Sequence, residues 1–202
     1  MRLETRKAES RDVPQVKRLI DEYIAEDYYP LAELEECLQG ERNLFYVVTD
    51  ADRSGAIISF FYAFLSTLDE ALPLLHVSEK PEALRHYAHD TLVGVYKTSS
   101  TEREYQKHGI CSSFIRGQET VLRQRGARLI LATALHPLGR EVPMRHIFED
   151  NGFSTIEEIS RPWVDMYLYC PYCKQHHCIC DAVFYAKRIE EGEGGDSNNE
   201  CG

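Results

Sequence analysis

The chain has 202 residues, with 33 acidic and 23 basic side chains and a formal net charge of −10 at pH 7. This length fits one globular domain, and the acidic balance disfavours binding to a nucleic-acid backbone, which requires clustered positive charge. The first residues lack the apolar core of a secretory signal, and the apolar run 56–68 is too short to cross a bilayer. These features predict a soluble cytoplasmic protein without nucleic-acid or membrane partners.

The end of the chain differs in composition from the rest. Residues 190–202 include five acidic side chains and no basic one, and Cys201 is their one apolar residue. Such a segment cannot bury enough apolar surface to fold. We therefore expect a single domain over residues 1–189 and a disordered acidic tail over 190–202.

Hydrophobic periodicity and turn residues divide the first half of the chain. The predicted elements are, in order, a helix at 13–26, a short helix at 31–38 ended by Gly40, a hairpin of strands at 44–49 and 56–65, a helix that begins near 78–81, and a strand at 91–101. Residues 66–90 give the weakest pattern of this half. No internal repeat is visible.

The second half alternates helices and strands in the same way. The predicted elements are a helix from Ile110 that Gly126 ends, a strand at 128–134, a helix at 143–151 that ends at Gly152, and strands at 163–169 and 182–189. A cluster of cysteines separates the last two strands.

The turn at residues 105–111 lies between a predicted strand and a predicted helix. Backbone N–H groups at a helix N-terminus can hold a phosphate, and Gly109 would allow the backbone to approach it closely. Lys107 and His108 add positive charge. This geometry predicts an anion site, although a strand, a turn and a helix with one glycine also serve simple chain reversal.

Several segments, taken in order, resemble the GNAT N-acetyltransferase superfamily. They are Ala8–Val13 at the first strand-helix junction, Lys97-Thr98 in a strand, Glu104–Ile110 in the turn, Ile147–Phe153 at a helix end, and Phe184–Ile189 in the last strand. The resemblance implies an α/β (α+β) fold with a mixed, mostly antiparallel, V-splayed β-sheet flanked by helices on both faces. It implies acetyl-CoA as cosubstrate, with direct attack by a primary amine through a tetrahedral intermediate.

The same resemblance implies which residues hold the coenzyme. The pyrophosphate would rest on the turn, and the strand before it would offer backbone groups to the pantetheine arm. The implied coenzyme-binding residues are Thr98, Ser99, Thr101, Gln106, Lys107, His108, Gly109, Ile110 and Cys111.

The sequence departs from the family at positions that matter for catalysis. Cys111 replaces a glycine or alanine, and it is either a tolerated small residue or a nucleophile with a depressed pKa. Phe148 stands where many members have a tyrosine that protonates the leaving thiolate, so His146 and Tyr167 are considered as substitutes for that acid. The strand 91–101 has no carboxylate to serve as a base. The catalytic residues are therefore left unassigned.

Residues 66–90 are longer than the direct connection that the family has between these strands. The implied fold places this insertion near the acceptor end, where it lines the substrate site or is decoration. His86 and His89 share one side of the predicted helix, but two histidines without a third ligand are usually surface residues.

A compact cysteine cluster follows in the spacing C-x2-C-x4-C-x-C. Zinc prefers four tetrahedral sulfur and nitrogen ligands, and C-x2-C presents two thiolates from one turn. The predicted ligands of a structural zinc ion are Cys170, Cys173, Cys178 and Cys180, with His176 or His177 as alternatives for the fourth. This zinc knuckle, residues 170–180, is expected to close the hairpin of the last two strands. A redox thiol pair is the competing interpretation.

Two functions are compatible with these patterns. The first is an acetyl-CoA-dependent N-acetyltransferase with a zinc-stapled hairpin, acting on a primary amine of a small molecule or a protein. The second is a non-catalytic acyl-CoA-binding or protein-interaction module that kept the fold. The turn favours the first, whereas Phe148 and the missing strand carboxylate favour the second.

Overall fold

The computed structural model describes residues 2–190, which form seven β-strands and five α-helices. The strands are β1 (Leu3–Lys7), β2 (Asn43–Asp50), β3 (Ala56–Thr67), β4 (Leu92–Thr101), β5 (Leu129–His136), β6 (Ser154–Ile159) and β7 (Asp181–Arg188). The helices are α1 (Val13–Tyr23), α2 (Leu31–Cys37), α3 (Leu68–Leu74), α4 (Ile110–Gln124) and α5 (Arg145–Asp150). The tail predicted over 190–202 lies outside the described residues, apart from Glu190.

All seven strands join one sheet in the order β1-β2-β3-β4-β5-β7-β6. Every neighbouring pair is antiparallel except β4 and β5, which are parallel and are connected by α4. A parallel pair needs a crossover of this kind, whereas antiparallel strands can be joined by short turns. The predicted mixed and mostly antiparallel sheet is confirmed.

The two central strands separate part of the way along their length. β4 and β5 are paired only from Val93 to Tyr96 on one side and from Leu129 to Ala132 on the other. Beyond that point β4 stays bonded to β3, and β5 stays bonded to β7. The sheet therefore opens into a V between residues 97–101 and 133–136, as the resemblance implies.

Helices cover both faces of the sheet. Consecutive strand residues point to opposite faces, so Phe60 packs with residues of α1 and Phe61 with residues of α4. On β5, Leu131 packs with α3 and Ile130 packs on the side of α4 and α5. Thus α1, α2 and α3 lie on one face, and α4 and α5 lie on the other.

The predicted strand at 163–169 is wrong. Residues 162–165 form turns, Arg161 has a positive φ of 45°, and only Tyr169 makes an isolated bridge, to Glu26. The edge partner of β7 is instead β6, whose sequence STIEEI has few apolar residues because much of it faces solvent. The connection from β6 to β7 is consequently long, and it contains all four clustered cysteines.

The helix predicted to begin near residues 78–81 is also wrong. A single 3₁₀ turn occupies Glu82–Leu84, and the helix of this insertion is α3. Its start is set by a capping box, in which the Glu70 amide donates to Thr67 Oγ1 and the Thr67 amide donates to the Glu70 carboxylate. That Thr-x-x-Glu signal was present in the sequence at the end of the strand.

Other boundaries differ by a few residues. The first helix ends at Tyr23, the second hairpin strand continues to Thr67, and the last strand begins at Asp181. Within residues 2–190, none of the helices combines the length and the apolar character that crossing a bilayer requires.

Candidate functional site

The gap between β4 and β5 opens into a cleft of about 620 Å³ that passes through the sheet. Its walls come from the separated strand ends, the turn before α4, the end of α3 and the loop that carries the cysteines. Among the described residues that line it, none is acidic, and the cationic ones are Lys97 and Lys107. The site therefore has a neutral to positive lining inside an acidic protein.

The turn at residues 106–111 enters α4 with an unusual backbone. Gly109 is the N-cap and has a φ of 76°, and Lys107 has a φ of 65°. The first amides of an α-helix have no partner within the helix, and no side chain caps them here. The amides of Ile110, Cys111 and Ser112 therefore remain available to an anion at the cleft.

Two hydrogen bonds hold this turn against the sheet. The Tyr105 hydroxyl donates to Asp50 Oδ2 at 2.6 Å, and Gln106 Nε2 donates to the Thr101 carbonyl oxygen at 2.9 Å. Both Tyr105 and Asp50 are buried. The helix N-terminus is thus fixed relative to the arm of β4 that lines the cleft.

Most of the residues predicted to bind coenzyme lie on this cleft. The lining includes Thr98, Ser99, Thr101, Gln106, Lys107, Gly109, Ile110 and Cys111. His108 is exposed and outside the lining, and its Nδ1 atom lies 2.9 Å from the Gln106 carbonyl oxygen. His108 is therefore the one predicted coenzyme contact that the structure keeps away from the cleft.

The Cys111 thiol is not activated. Burial raises its pKa to about 11, and a hydrogen bond with Ser99 only partly opposes this rise. The depressed pKa considered for a cysteine at a helix N-terminus does not apply here. At pH 7 this thiol is protonated and is a poor nucleophile.

The position at which many members of the resembled family have a tyrosine is apolar here. Phe148 is buried, and its ring centroid lies 4.9 Å from those of Phe153 and Tyr185. The two substitutes considered for it, His146 and Tyr167, are 79% and 70% exposed and lie outside the cleft lining. Neither of them can reach a ligand held between β4 and β5.

The segment Leu74–His76, which we call the bridging segment, ties the two separated strands together. Lys97 Nζ on β4 donates to the Leu74 carbonyl oxygen at 2.8 Å, and Thr133 Oγ1 on β5 donates to the Leu75 carbonyl oxygen at 2.9 Å. Lys97 and Thr133 directly follow the last paired residues of their strands. The insertion therefore lines the site, as one of the two predicted alternatives states.

Burial shifts the pKa of both titratable groups at this point. It lowers the pKa of Lys97, although the negative charge of Glu33 partly opposes this effect. It also lowers the pKa of His76, and the nearby Lys97 lowers it further. The His76 imidazole is consequently neutral at pH 7, and it lines the cleft beside the bridging carbonyls.

The four clustered cysteines converge. Their Sγ atoms all lie within 4.8 Å of one another, and those of Cys173 and Cys178 are 3.9 Å apart. A tetrahedral ion with Zn–S bonds of about 2.3 Å would separate its sulfurs by about 3.8 Å. Cys180 precedes β7 instead of lying in a strand, so its side chain can join the other three.

The neighbouring histidines are not part of this cluster. His176 and His177 are exposed, and His177 Nδ1 lies 2.9 Å from the Val164 carbonyl oxygen. The turn of the first pair closes through a bond from the Lys174 amide to the Cys170 carbonyl oxygen at 2.8 Å. The geometry therefore favours Cys180 over either histidine as a fourth ligand.

The loop that carries the cysteines also forms one wall of the cleft. Tyr169 and Glu26 exchange backbone hydrogen bonds of 3.1 and 3.3 Å, which attach the loop to the segment after α1. The Trp163 ring lies 5.7 Å from that of His76, and its indole hydrogen-bonds with Tyr28, whose pKa burial raises to about 12. Cys170 and Cys178 line the same cleft.

Sequence reasoning missed the residues at this end of the cleft. His76, Trp163 and Tyr28 come from three separate connections, and their meeting depends on long-range contacts. No local sequence signal pointed to His76, because its left-handed conformation after the C-cap of α3 is visible only in the structure.

Comparison with solved structures identifies the fold. Similar structures include the ribosomal-protein-S18-alanine N-acetyltransferase from Escherichia coli, with a TM-score of 0.62 and 14% identity over 96% of this chain and 98% of that chain. NAA60 from Arabidopsis thaliana in complex with acetyl-CoA gives a TM-score of 0.71 and 12% identity over 93% and 99% of the two chains. An acetyltransferase of the GNAT family from Streptococcus pneumoniae gives 0.60 and 14% over 93% and 100%.

The protein therefore has the GNAT fold. No protein-family model matches the sequence, and comparison with curated proteins finds no relative. At such low identity the likeness lies in the arrangement of strands and helices and in the central V.

Proposed function

We propose that this protein is an N-acetyltransferase that uses acetyl-CoA and acetylates a primary amine by direct attack. The observation that carries the proposal is the V between β4 and β5, with the uncapped N-terminus of α4 at its edge. The amides of that helix would hold the pyrophosphate, since a helix N-terminus and a left-handed glycine suit a close anion. The polar arm Thr98–Thr101 would bind the pantetheine.

The charge distribution supports this assignment. The whole chain carries a formal charge of −10, yet the described lining of the cleft has no carboxylate and has Lys107 at the turn. A polyanionic coenzyme would meet backbone amides and Lys107 in a cleft whose described lining has no carboxylate. Local amides, and not net charge, would supply the affinity.

The proposed reaction needs no covalent enzyme intermediate. The amine would attack the thioester carbonyl directly, because the Cys111 thiol is held protonated by burial. The acceptor end of the cleft would be the end near Trp163 and Tyr28, on the face of α1, α2 and α3. Similar structures include complexes with a bisubstrate analogue, for example Naa20 from Chaetomium thermophilum, and such a ligand would fit a cleft that passes through the sheet.

We also propose that Cys170, Cys173, Cys178 and Cys180 bind one structural zinc ion. Four cysteine sulfurs within 4.8 Å are a donor set that suits zinc. With all four positions taken by protein, the ion would have no open site for water. Its contribution would be to fix the cleft wall, and the reduced thiols that it needs agree with the expected cytoplasmic location.

Calorimetric titration with acetyl-CoA tests the coenzyme site. We expect wild-type protein to bind and Gly109→Glu to bind at least 100-fold more weakly. A side chain at this φ is strained, and the glutamate carboxylate would repel the phosphates at short range. A matched control is Gly55→Glu, because Gly55 also has a positive φ but lies in the β2–β3 turn away from the cleft.

Release of free thiol from acetyl-CoA in the presence of amine panels then tests catalysis. Failure of wild-type protein to bind millimolar acetyl-CoA would remove the proposal. Binding without thiol release would favour the non-catalytic module, which the apolar environment of Phe148 supports.

A further inference from the structure

The bridging segment places one side chain at the point where the central strands part. Its carbonyl groups accept hydrogen bonds from Lys97 on β4 and Thr133 on β5, and these are the first residues past the last paired positions. His76 is the next residue, and its imidazole lines the cleft. If the pantetheine arm runs along β4, the thioester would reach this same point.

The backbone at His76 lies in the left-handed region, which glycine adopts far more readily than other residues. The end of α3 is a Schellman motif, in which the His76 amide donates to the Pro73 carbonyl oxygen and the Val77 amide donates to the Leu72 carbonyl oxygen, each at 3.0 Å. His76 occupies the left-handed position of this motif, with a φ of 61°. Glycine is the usual residue there, because a Cβ atom is strained at positive φ. Helix termination alone would therefore favour glycine over histidine at this position.

The surroundings of His76 keep its ring neutral. It is half-buried, and the charged group that faces it is Lys97 on β4, which disfavours a second positive charge. From the cysteine loop it meets the uncharged Trp163 ring at 5.7 Å. The other titratable side chains that line this end of the cleft are the hydroxyls of Tyr23, Tyr28 and Tyr172 and the thiols of Cys170 and Cys178, and no described acidic residue lines it.

We propose that His76 is the general base of the acetyl transfer. This inference rests on the proposed function and assigns the proton acceptor that the strand 91–101 and Phe148 do not supply. The amine nitrogen forms a bond to the carbonyl carbon of the thioester, and His76 takes the proton that the nitrogen loses. The C–S bond then breaks, and the departing thiolate of CoA receives that proton from the imidazolium, so the products are the amide and the free thiol.

Replacement of His76 by glycine separates catalysis from folding. Glycine suits the left-handed position, so we expect His76→Gly to have an equal or higher melting temperature than wild type. We expect acetyl-CoA affinity within threefold of wild type and a loss of about 100-fold in kcat/KM at pH 7, the usual contribution of a general base. His76→Gln is the second variant, and it should show the same loss. A residue with only a structural role would not combine higher stability with a lost rate.

The pH profile gives a second readout. Wild type and variants should both gain kcat/KM as the free amine becomes abundant with rising pH. Only wild type should also lose kcat/KM below the lowered pKa of His76, where the base is protonated, so the deficit of the variants should shrink as the pH falls through that pKa. The matched control is His86→Gln, since His86 lies in the same insertion, its ring centroid is 4.1 Å from that of Tyr87 in a tilted arrangement, and it is outside the cleft lining. It should leave the profile unchanged.

The outcomes separate this inference from the proposed function. Variants that keep the wild-type rate and profile would overturn the role of His76 and leave acetyl transfer intact, whereas absence of acetyl-CoA binding in wild type would remove acetyl transfer itself. A measurement without an acceptor is the NMR titration of the His76 ring in protein saturated with acetyl-CoA, assigned by comparison with His76→Gln. A neutral ring at pH 7 supports the proposal, and an imidazolium at pH 7 overturns it.

Discussion

Cys111 lies in the first turn of α4 on the wall of the cleft, next to the proposed path of the thioester. A cysteine there suggests a covalent acyl intermediate, but burial raises the pKa of the thiol to about 11. Only about one molecule in 10⁴ would carry the thiolate at pH 7, because each pKa unit changes that fraction tenfold. The residue is better explained as a small side chain under the coenzyme.

We therefore expect Cys111→Ala to retain acetyl transfer within about twofold of wild type. Intact-mass spectrometry after incubation with acetyl-CoA should find no acetyl group on Cys111, and alkylation of this thiol at pH 7 should be slow. The comparison residue is Cys37, which is also buried but lies away from the cleft. An acetylated Cys111 together with an inactive alanine variant would contradict direct attack.

Residues differ in how far the sequence reveals them. Gly109 could be predicted as part of an anion site because its signal is local: a glycine between a strand and a helix. His76 could not be assigned a role, since its position depends on hydrogen bonds from Lys97 and Thr133 on two other strands. The unusual feature of His76 is its left-handed backbone conformation after the end of a helix, and this becomes visible only when the end of α3 is known.

At the scale of elements, the contact of α4 with β4 depends on one glycine. A Cβ atom on Gly94 would overlap the side chain of Leu122, which is fully buried in α4. The helix can lie this close to the sheet only because position 94 has no side chain. The turn 106–111 leads into the start of α4. The distance between α4 and β4 should therefore also influence the width of the proposed coenzyme site.

Gly94→Ala should lower the free energy of unfolding by about 1–3 kcal/mol, the usual cost of overpacking a core. Urea unfolding at pH 7 measures this loss, and the effect should be smaller in a Leu122→Ala background, where the space is free. The control in the same helix is Gly117, where an added Cβ would meet nothing within 4 Å. Gly117→Ala should stabilise the protein by up to about 1 kcal/mol through helix propensity. Equal effects at both glycines would contradict the close packing.

Elements with strong local patterns were predicted well, and those stabilised by distant contacts were not. The hairpin of β2 and β3 and the start of α4 follow from β-branched runs, a turn and helical spacing. The strand β6 has few apolar residues and exists because it pairs with β7. The run 163–169 contains Trp, Val, Met and Tyr, but Trp163 lines the cleft whereas Val164, Met166 and Tyr167 are exposed, and these residues belong to no strand of the sheet.

At the scale of the whole molecule, the cysteine cluster belongs to the loop from β6 to β7, which packs on the segment after α1 and also forms one wall of the cleft. It packs with Ala25 and Leu168 in a small apolar cluster, and it holds the wall that contains Trp163. A four-cysteine site contributes folding free energy when the metal binds. If zinc binds these cysteines as proposed, its removal should therefore disorder this wall and leave the turn 106–111 in place.

We expect one zinc ion per chain by elemental analysis, and we expect Cys173→Ser to lose it together with some thermal stability. Trp163 is the single tryptophan of the chain, so its emission should shift to the red when chelator removes the metal. Acetyl-CoA affinity should change by less than about fivefold, because the turn 106–111 lies outside the apolar cluster of the cysteine loop. A Cys37→Ala variant should keep its zinc. Full zinc content in Cys173→Ser would contradict the proposed ligand set.

The opening of the sheet between β4 and β5 also affects how ligands enter and leave the cleft. The sheet separates two sides of the molecule, and the V between β4 and β5 is an opening that connects them. The start of α4 lies on one side, and the end of α3, Trp163 and Tyr28 lie on the other. The bridging segment is hydrogen-bonded to both edges of this opening, so the fold sets the width of the opening. If coenzyme and acceptor enter from these opposite sides, each can exchange with solvent while the other stays bound.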